Sequence, residues 1–174
     1  MPTSNLNWRG IITIGIIAGL VQVASGIAMY VLGVYFATWS MFVTWLVLIL
    51  CVVLGIKRYR ERYLDNSITY GGSLLIGICI GVCIGVVYAV YNVVSVSFFY
   101  PNFINEMVDA QVANRSEGLN QEQMAELAKS LREGTTAFTI AFWNLVRLPV
   151  FSTVISLVAS LFLTKQKSEP AGKE

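Results

Sequence analysis

Four apolar stretches divide the chain, at about 10–35, 37–56, 71–99 and 137–163. Each has the roughly 20 residues that a helix needs to cross a bilayer. Polar interruptions are few: Thr13, Gln22 and Ser25 in the first stretch, and Arg147 with Pro149 close behind it in the fourth. The first stretch is longer than the roughly 7–15 apolar residues of a signal-peptide core, which predicts a retained helix. The pattern therefore predicts an all-α, polytopic membrane protein: one domain of four transmembrane helices in a bundle. An uncharged hairpin at 36–40 joins the first two runs, and a basic loop at 57–70 joins the next two.

The polar stretch 101–134 between the third and fourth runs has its own helical pattern. Asn120 suits an N-cap, Gln123 completes a capping box, and Leu119 is placed to staple onto Met124. Met124, Leu127, Ala128 and Leu131 then repeat at helical spacing, with Gly134 as a C-terminal stop. Phe103, Ile104, Met107, Val108 and Val112 show the same spacing in the first half, so a helical loop is expected at 101–134. Its apolar stripe either packs on the end of the bundle, docks a partner or covers a cavity.

Charge orients this frame. Lys57, Arg58, Arg60 and Arg62 form a basic cluster after the second run, Arg9 precedes the first, and Lys165, Lys167 and Lys173 follow the fourth. The 101–134 loop instead carries six acidic residues against three basic ones. Because cytoplasmic segments hold the Lys/Arg excess, both termini and the basic cluster are expected in the cytoplasm and the acidic loop outside. Trp8, Trp39, Tyr59, Tyr63, Tyr100 and Trp143 fall near the interfaces, where amphipathic rings settle.

Composition sharpens the picture at two points. Only 13% of the residues are charged and 56% are hydrophobic, too little charge for a water-facing surface. The chain has no histidine, which removes Ser-His-Asp, Cys-His and His-ligated metal chemistry, and its net charge of +2 gives no reason to expect nucleic acid.

The segment from Gly55 to Leu74, with its basic, tyrosine-containing run leading into Ile68-Thr69-Tyr70-Gly71, resembles the bacterial domain-of-unknown-function 4199 family of small integral membrane proteins. Tyr100-Pro101-Asn102-Phe103-Ile104, the acidic loop helix and Ile155-Ser156-Leu157-Val158 extend the resemblance over nearly the whole chain. Relatives usually have a glycine just before the Ile-Ser/Thr-Phe/Tyr motif, where this chain has Asn66 and Ser67. The resemblance implies a four-helix protein of a bacterial inner membrane and supplies no catalytic residues.

Small residues in register point to helix packing: Gly15 and Gly19; Gly77, Gly81 and Gly85; and Ser152, Ser156 and Ser160. In lipid, small residues let backbones approach closely, so these faces are expected to meet inside the bundle, with homodimerisation as the functional alternative. Cys51, Cys79 and Cys83 sit in apolar runs and read as small hydrophobes; no metal or cofactor is expected. The basic cluster chiefly sets orientation, the alternative being recognition of an anionic lipid or an acidic partner.

Arg147 is the one charge within a span. Such residues face the bundle interior or a wet cavity. It lies either one turn inside the interface, with Trp143 as anchor, or deeper. Asn144 is one turn before it, and Asn92, Ser95 and Tyr88 on the antiparallel third helix lie at similar depth, as do Gln22, Ser25 and Tyr30 on the first. Arg147, Asn144, Asn92 and Tyr88 are therefore expected to form a polar pocket. No Asp, Glu or His lies in any span, so no enzyme is expected. The first functional expectation is a structural or accessory component acting through helix and loop contacts, on itself or another membrane protein. The alternative is lipid-headgroup or small-anion binding or transport around Arg147.

Overall fold

A computed structural model describes residues 6–115 and 118–164. The helices are α1 (Trp8–Val31), α2 (Ser40–Tyr63), α3 (Tyr70–Val94), α4 (Phe103–Arg115), α5 (Gln121–Gly134) and α6 (Ala137–Leu163). A π-helical segment, Ser95–Phe99, extends α3. Four elements are long and apolar enough to cross a membrane: α1, α2, α3 with its π extension, and α6. The all-α architecture of four long apolar helices is as the hydrophobic pattern predicted.

Local chemistry moves the helix ends from the limits of the apolar runs. At the start of α1, the Asn7 side chain accepts from Gly10 N–H at 3.1 Å. The helix stops at Val31 rather than running to 35, because Gly33 adopts φ +71°. Gly33 N–H then bonds Tyr30 O, and Val34 N–H bonds Met29 O. This is the paired arrangement that closes a helix on a left-handed residue. In α2 the correction runs the other way. The basic residues 57–62 are its last two turns, not a loop. Lys57 pairs with Glu61 at 4.0 Å, and Arg60 and Arg62 suit the negative end of the helix dipole. The chain turns there through left-handed Asp65 and Asn66, at φ 46° and 60°. Asp and Asn are the residues that best replace glycine in such a backbone. The tail lysines Lys165, Lys167 and Lys173 lie outside the described residues.

The four long helices form a square in the order α1, α3, α6, α2, with α3–α6 the tightest side and α2–α6 the loosest. An apolar core that includes Val52, Ile56, Ile76, Ile80 and Ile84 also encloses small polar residues, while large apolar ones face outward. Ser73, Ser152, Ser156 and Ser160 are fully enclosed and Gln22 nearly so, whereas Phe162, Phe98 and Val31 are 82%, 79% and 74% exposed. A hydrocarbon solvent favours this arrangement, because apolar side chains lose nothing by facing lipid. Inside, Ser152 and Ser156 donate to backbone carbonyls, whereas Ser73 Oγ, Ser160 Oγ and Gln22 Oε1 are buried without a hydrogen-bond partner among the described residues.

At the α3–α6 side a side chain on Gly77 would collide with Ser156, and one on Gly81 with Ser152. Ser152 Oγ donates to Gly77 O at 2.8 Å across the seam. Gly85 completes the ridge by lying against the Pro149 ring and the Leu145 carbonyl, the acceptor that the proline leaves without its usual helical donor. Gly15 and Gly19 do not join this ridge. They pack on a different face of α3, against Cys83 and Val87. The small residues expected to converge in one place thus make two seams.

The 101–134 stretch is a helical hairpin, α4 and α5, tied by Arg132–Asp109 at 3.2 Å. The Asn120/Gln123 capping box forms as predicted. Gly134 is not the left-handed stop expected of it. α5 ends where Thr135 turns extended, and Thr136 with Thr139 forms the capping box that starts α6.

Candidate functional site: a loop-covered pocket around Arg147

The end of the bundle beneath the hairpin is organised by aromatic rings. Phe103, the first residue of α4, lies 5.5 Å from Tyr35, 5.5 Å from Phe36 and 5.7 Å from Tyr30, centroid to centroid. Tyr100 stacks edge-on against Tyr30 at 4.4 Å, and Tyr30 donates its hydroxyl to Glu106 at 3.0 Å. These contacts seat α4 across the mouth of the four helices.

Beside this cluster, between α4, α6 and the α1–α2 hairpin, is a cavity of about 670 Å³. Among the described residues that line it, Arg147 is the one charged side chain and none is a carboxylate. Asn144 sets the geometry. Its amide nitrogen donates to Ile140 O at 3.0 Å, which turns its oxygen towards Arg147, and Arg147 Nη2 donates to that oxygen at 3.0 Å. One guanidinium has five donors, so this neighbour satisfies only part of it. Trp143, Thr139, Gln111 and Asn114 add amphipathic and polar surface to the wall.

The four residues expected to share the pocket are not all together. Arg147 and Asn144 line it. Tyr88 is buried behind it, close enough to interact electrostatically with both Tyr35 and Arg147. Asn92 donates to Tyr88 O in its own helix at 2.7 Å and faces a separate narrow crevice with Tyr30, Tyr91 and Ser95. The first-helix polar residues are also engaged elsewhere: Gln22 with Thr44 O, Ser25 with Gln22 O, and Tyr30 with Glu106. The reason is geometric, since α1 lies diagonally across the square from α6. Tyr35 and Phe103 line both the pocket and the crevice, and neither was among the expected site residues.

At the opposite end the basic cluster divides into separate roles. Arg60 Nη1 donates to Leu163 O at 2.9 Å, closing the last turn of α6. Arg62 lies 5.8 Å from the Tyr63 ring centroid, and Arg58 borders an apolar groove between α1 and α2. Among the described residues no group of His, Cys, Asp or Glu is placed to hold a metal ion.

Four long apolar helices with large apolar side chains facing outward define a multi-pass integral membrane protein. The chain matches the family described as Protein of unknown function (DUF4199) over residues 13–165, and it belongs to that family. Comparison with curated proteins and with solved structures finds no match.

Proposed function

We propose that this chain is a non-enzymatic accessory protein of a bacterial cytoplasmic membrane, whose working part is the Arg147 pocket, where it takes the anionic head of a lipid or a small anion. One observation carries the reading: a cavity of about 670 Å³ in which, among the described residues, the only charged wall residue is an arginine. Among the described residues Arg147 donates to a single neighbour, Asn144, which leaves guanidinium donors free for a bound anion. The glycine ridges favour this site over a dimer seam, because Gly77, Gly81, Gly15 and Gly19 are used within the bundle.

Charge asymmetry supports cytoplasmic termini and an outer α4–α5 hairpin. Helix rise gives the depth. From Leu163, a hydrocarbon core of about 30 Å reaches back about 20 residues to Trp143, which leaves Arg147 about one turn inside. This favours the shallower of its two expected positions. The spans hold no carboxylate or histidine, which supports a binding rather than a catalytic role.

The test is equilibrium binding of a fluorescent phosphodiester to the protein in neutral nanodiscs. Arg147→Gln should weaken binding about tenfold, the usual worth of a charge-assisted hydrogen bond. Unchanged binding in a folded Arg147→Gln protein would sink the proposal.

A further inference from the structure

We infer that the pocket's ligand is a single anionic phosphodiester lipid, with its head on Arg147 and one acyl chain laid down the seam between α2 and α6. This rests on the reading of the pocket as an anion site and specifies the class of molecule bound.

Three features of the α2–α6 side carry the inference. The pocket reaches this side through Met41, the second residue of α2, and Ile140, Trp143 and Arg147 of α6. One turn deeper, Trp45 and Phe151 meet edge to face, with ring centroids 3.8 Å apart. Below that contact is a second, wholly apolar groove of about 390 Å³, walled by Ile49 and Val53 from α2 and by Val154, Val158 and Phe162 from α6. Met41, Trp45, Ile49 and Val53 follow one another at four-residue steps. Arg147, Phe151, Val154, Val158 and Phe162 follow at steps of four and three. At 3.6 residues per turn each set makes a stripe down one face of its helix. Pocket, aromatic contact and groove therefore lie in line.

The length of that line suits a lipid. Val154 lies about 10 Å below Arg147 along the helix, near the middle of the bilayer, and Val158 about 16 Å below it, just past the middle. A free phosphate would use only the top of this path, whereas an acyl chain reaches past the aromatic contact into the near part of the groove. The charge fits one negative phosphodiester, since Arg147 is the only charged residue among the described residues of the lining. The aromatic pair at the waist gives the chain two ring edges to run along. α2–α6 is also the loosest side of the bundle, so entry from the bilayer separates the fewest packed residues.

Native mass spectrometry of protein from mixed phosphatidylglycerol and phosphatidylcholine nanodiscs tests this, with water-soluble glycerophosphoglycerol as the head-only probe. The wild-type chain should retain one phosphatidylglycerol with about tenfold preference over phosphatidylcholine, and Arg147→Gln should erase that preference. Val154→Trp with Val158→Trp fills the groove at positions 57% and 52% exposed. This variant should lose most retained lipid yet bind glycerophosphoglycerol like the wild type. Val90→Trp, on the lipid-facing side of α3, should retain lipid normally. If the filled-groove variant keeps its lipid, the seam is not the acyl seat, although the anion site stands. If Arg147→Gln changes neither probe, the anion site falls and the lipid assignment falls with it.

Discussion

α6 has two neighbours and treats them oppositely. Towards α3 it presents Ser152 and Ser156, which fit against Gly81 and Gly77 so closely that a single added carbon would collide. Towards α2 it presents Arg147, Phe151, Val154 and Val158, which leave a pocket and a groove on either side of one aromatic contact. The difference shows how a small bundle can be both stable and receptive in a solvent that supplies no hydrophobic drive. Contact energy comes from close backbone approach and from hydrogen bonds across the seam. One seam concentrates both, so the other can stay open.

The largest effect should come from breaking the closed seam. Gly81→Leu places four carbons where Ser152 already sits, and the helices must separate to accept them. Overpacking of this kind typically costs 1–3 kcal/mol, and here the upper end, about 3 kcal/mol, is expected because the neighbour is a short side chain with no room to swing away. Thermal unfolding in detergent should show a large fall in Tm. A Gly81→Leu protein as stable as the wild type would mean that the two seams do not differ in the way described.

Much of this contrast was legible in the sequence. Glycines at 77, 81 and 85 and serines at 152, 156 and 160 announced a close seam by their spacing alone, because i+4 repeats must share a helix face. Arg147 and Asn144 were likewise legible, one turn apart in a run where polar residues are rare. Which helices would be neighbours was not. Depth along a span follows from counting residues, but position around the bundle depends on which sides pack. Gln22 and Ser25 therefore had the right half of the membrane and the wrong corner. Tyr35 and Phe103 were missed for a related reason. They are ordinary aromatic residues at the ends of elements, and their meeting beside the pocket depends on the Gly33 turn and on α4 folding back over the bundle. The helix ends show the limits of hydropathy from the other side. The basic residues 57–62 mark the end of the apolar run, yet nothing in them stops a helix, and α2 continues to Tyr63.

A smaller effect separates the two sources of stability within the closed seam. Ser152→Ala keeps the small side chain that Gly81 accommodates and removes only the 2.8 Å hydrogen bond to Gly77 O. Interhelical hydrogen bonds in membranes average about 0.6 kcal/mol and reach about 1.7. A loss of about 1 kcal/mol is expected, readable as a modest shift in an unfolding titration. Ser156→Ala is the matched control, since Ser156 Oγ donates to Ser152 O within its own helix. If both variants lose equally, shape rather than hydrogen bonding holds the seam.

The smallest effect belongs to the open side. Val158→Trp adds more heavy atoms than Gly81→Leu, on the neighbouring helix α6, yet stability should change by no more than about 0.5 kcal/mol. Val158 is half exposed and borders a groove already large enough for a ring, so the added atoms displace lipid rather than protein. In hydrocarbon, exchanging lipid contact for indole contact is nearly neutral, because both are apolar and neither seam residue loses a partner. The two substitutions together measure the asymmetry directly through their difference in Tm. A destabilisation by Val158→Trp approaching that of Gly81→Leu would mean that α2 closes on α6 in the membrane, leaving no path for a chain below Arg147. A near-zero value leaves the groove as a place where the bilayer itself reaches into the protein, in line with the one cation that has reason to hold a lipid there.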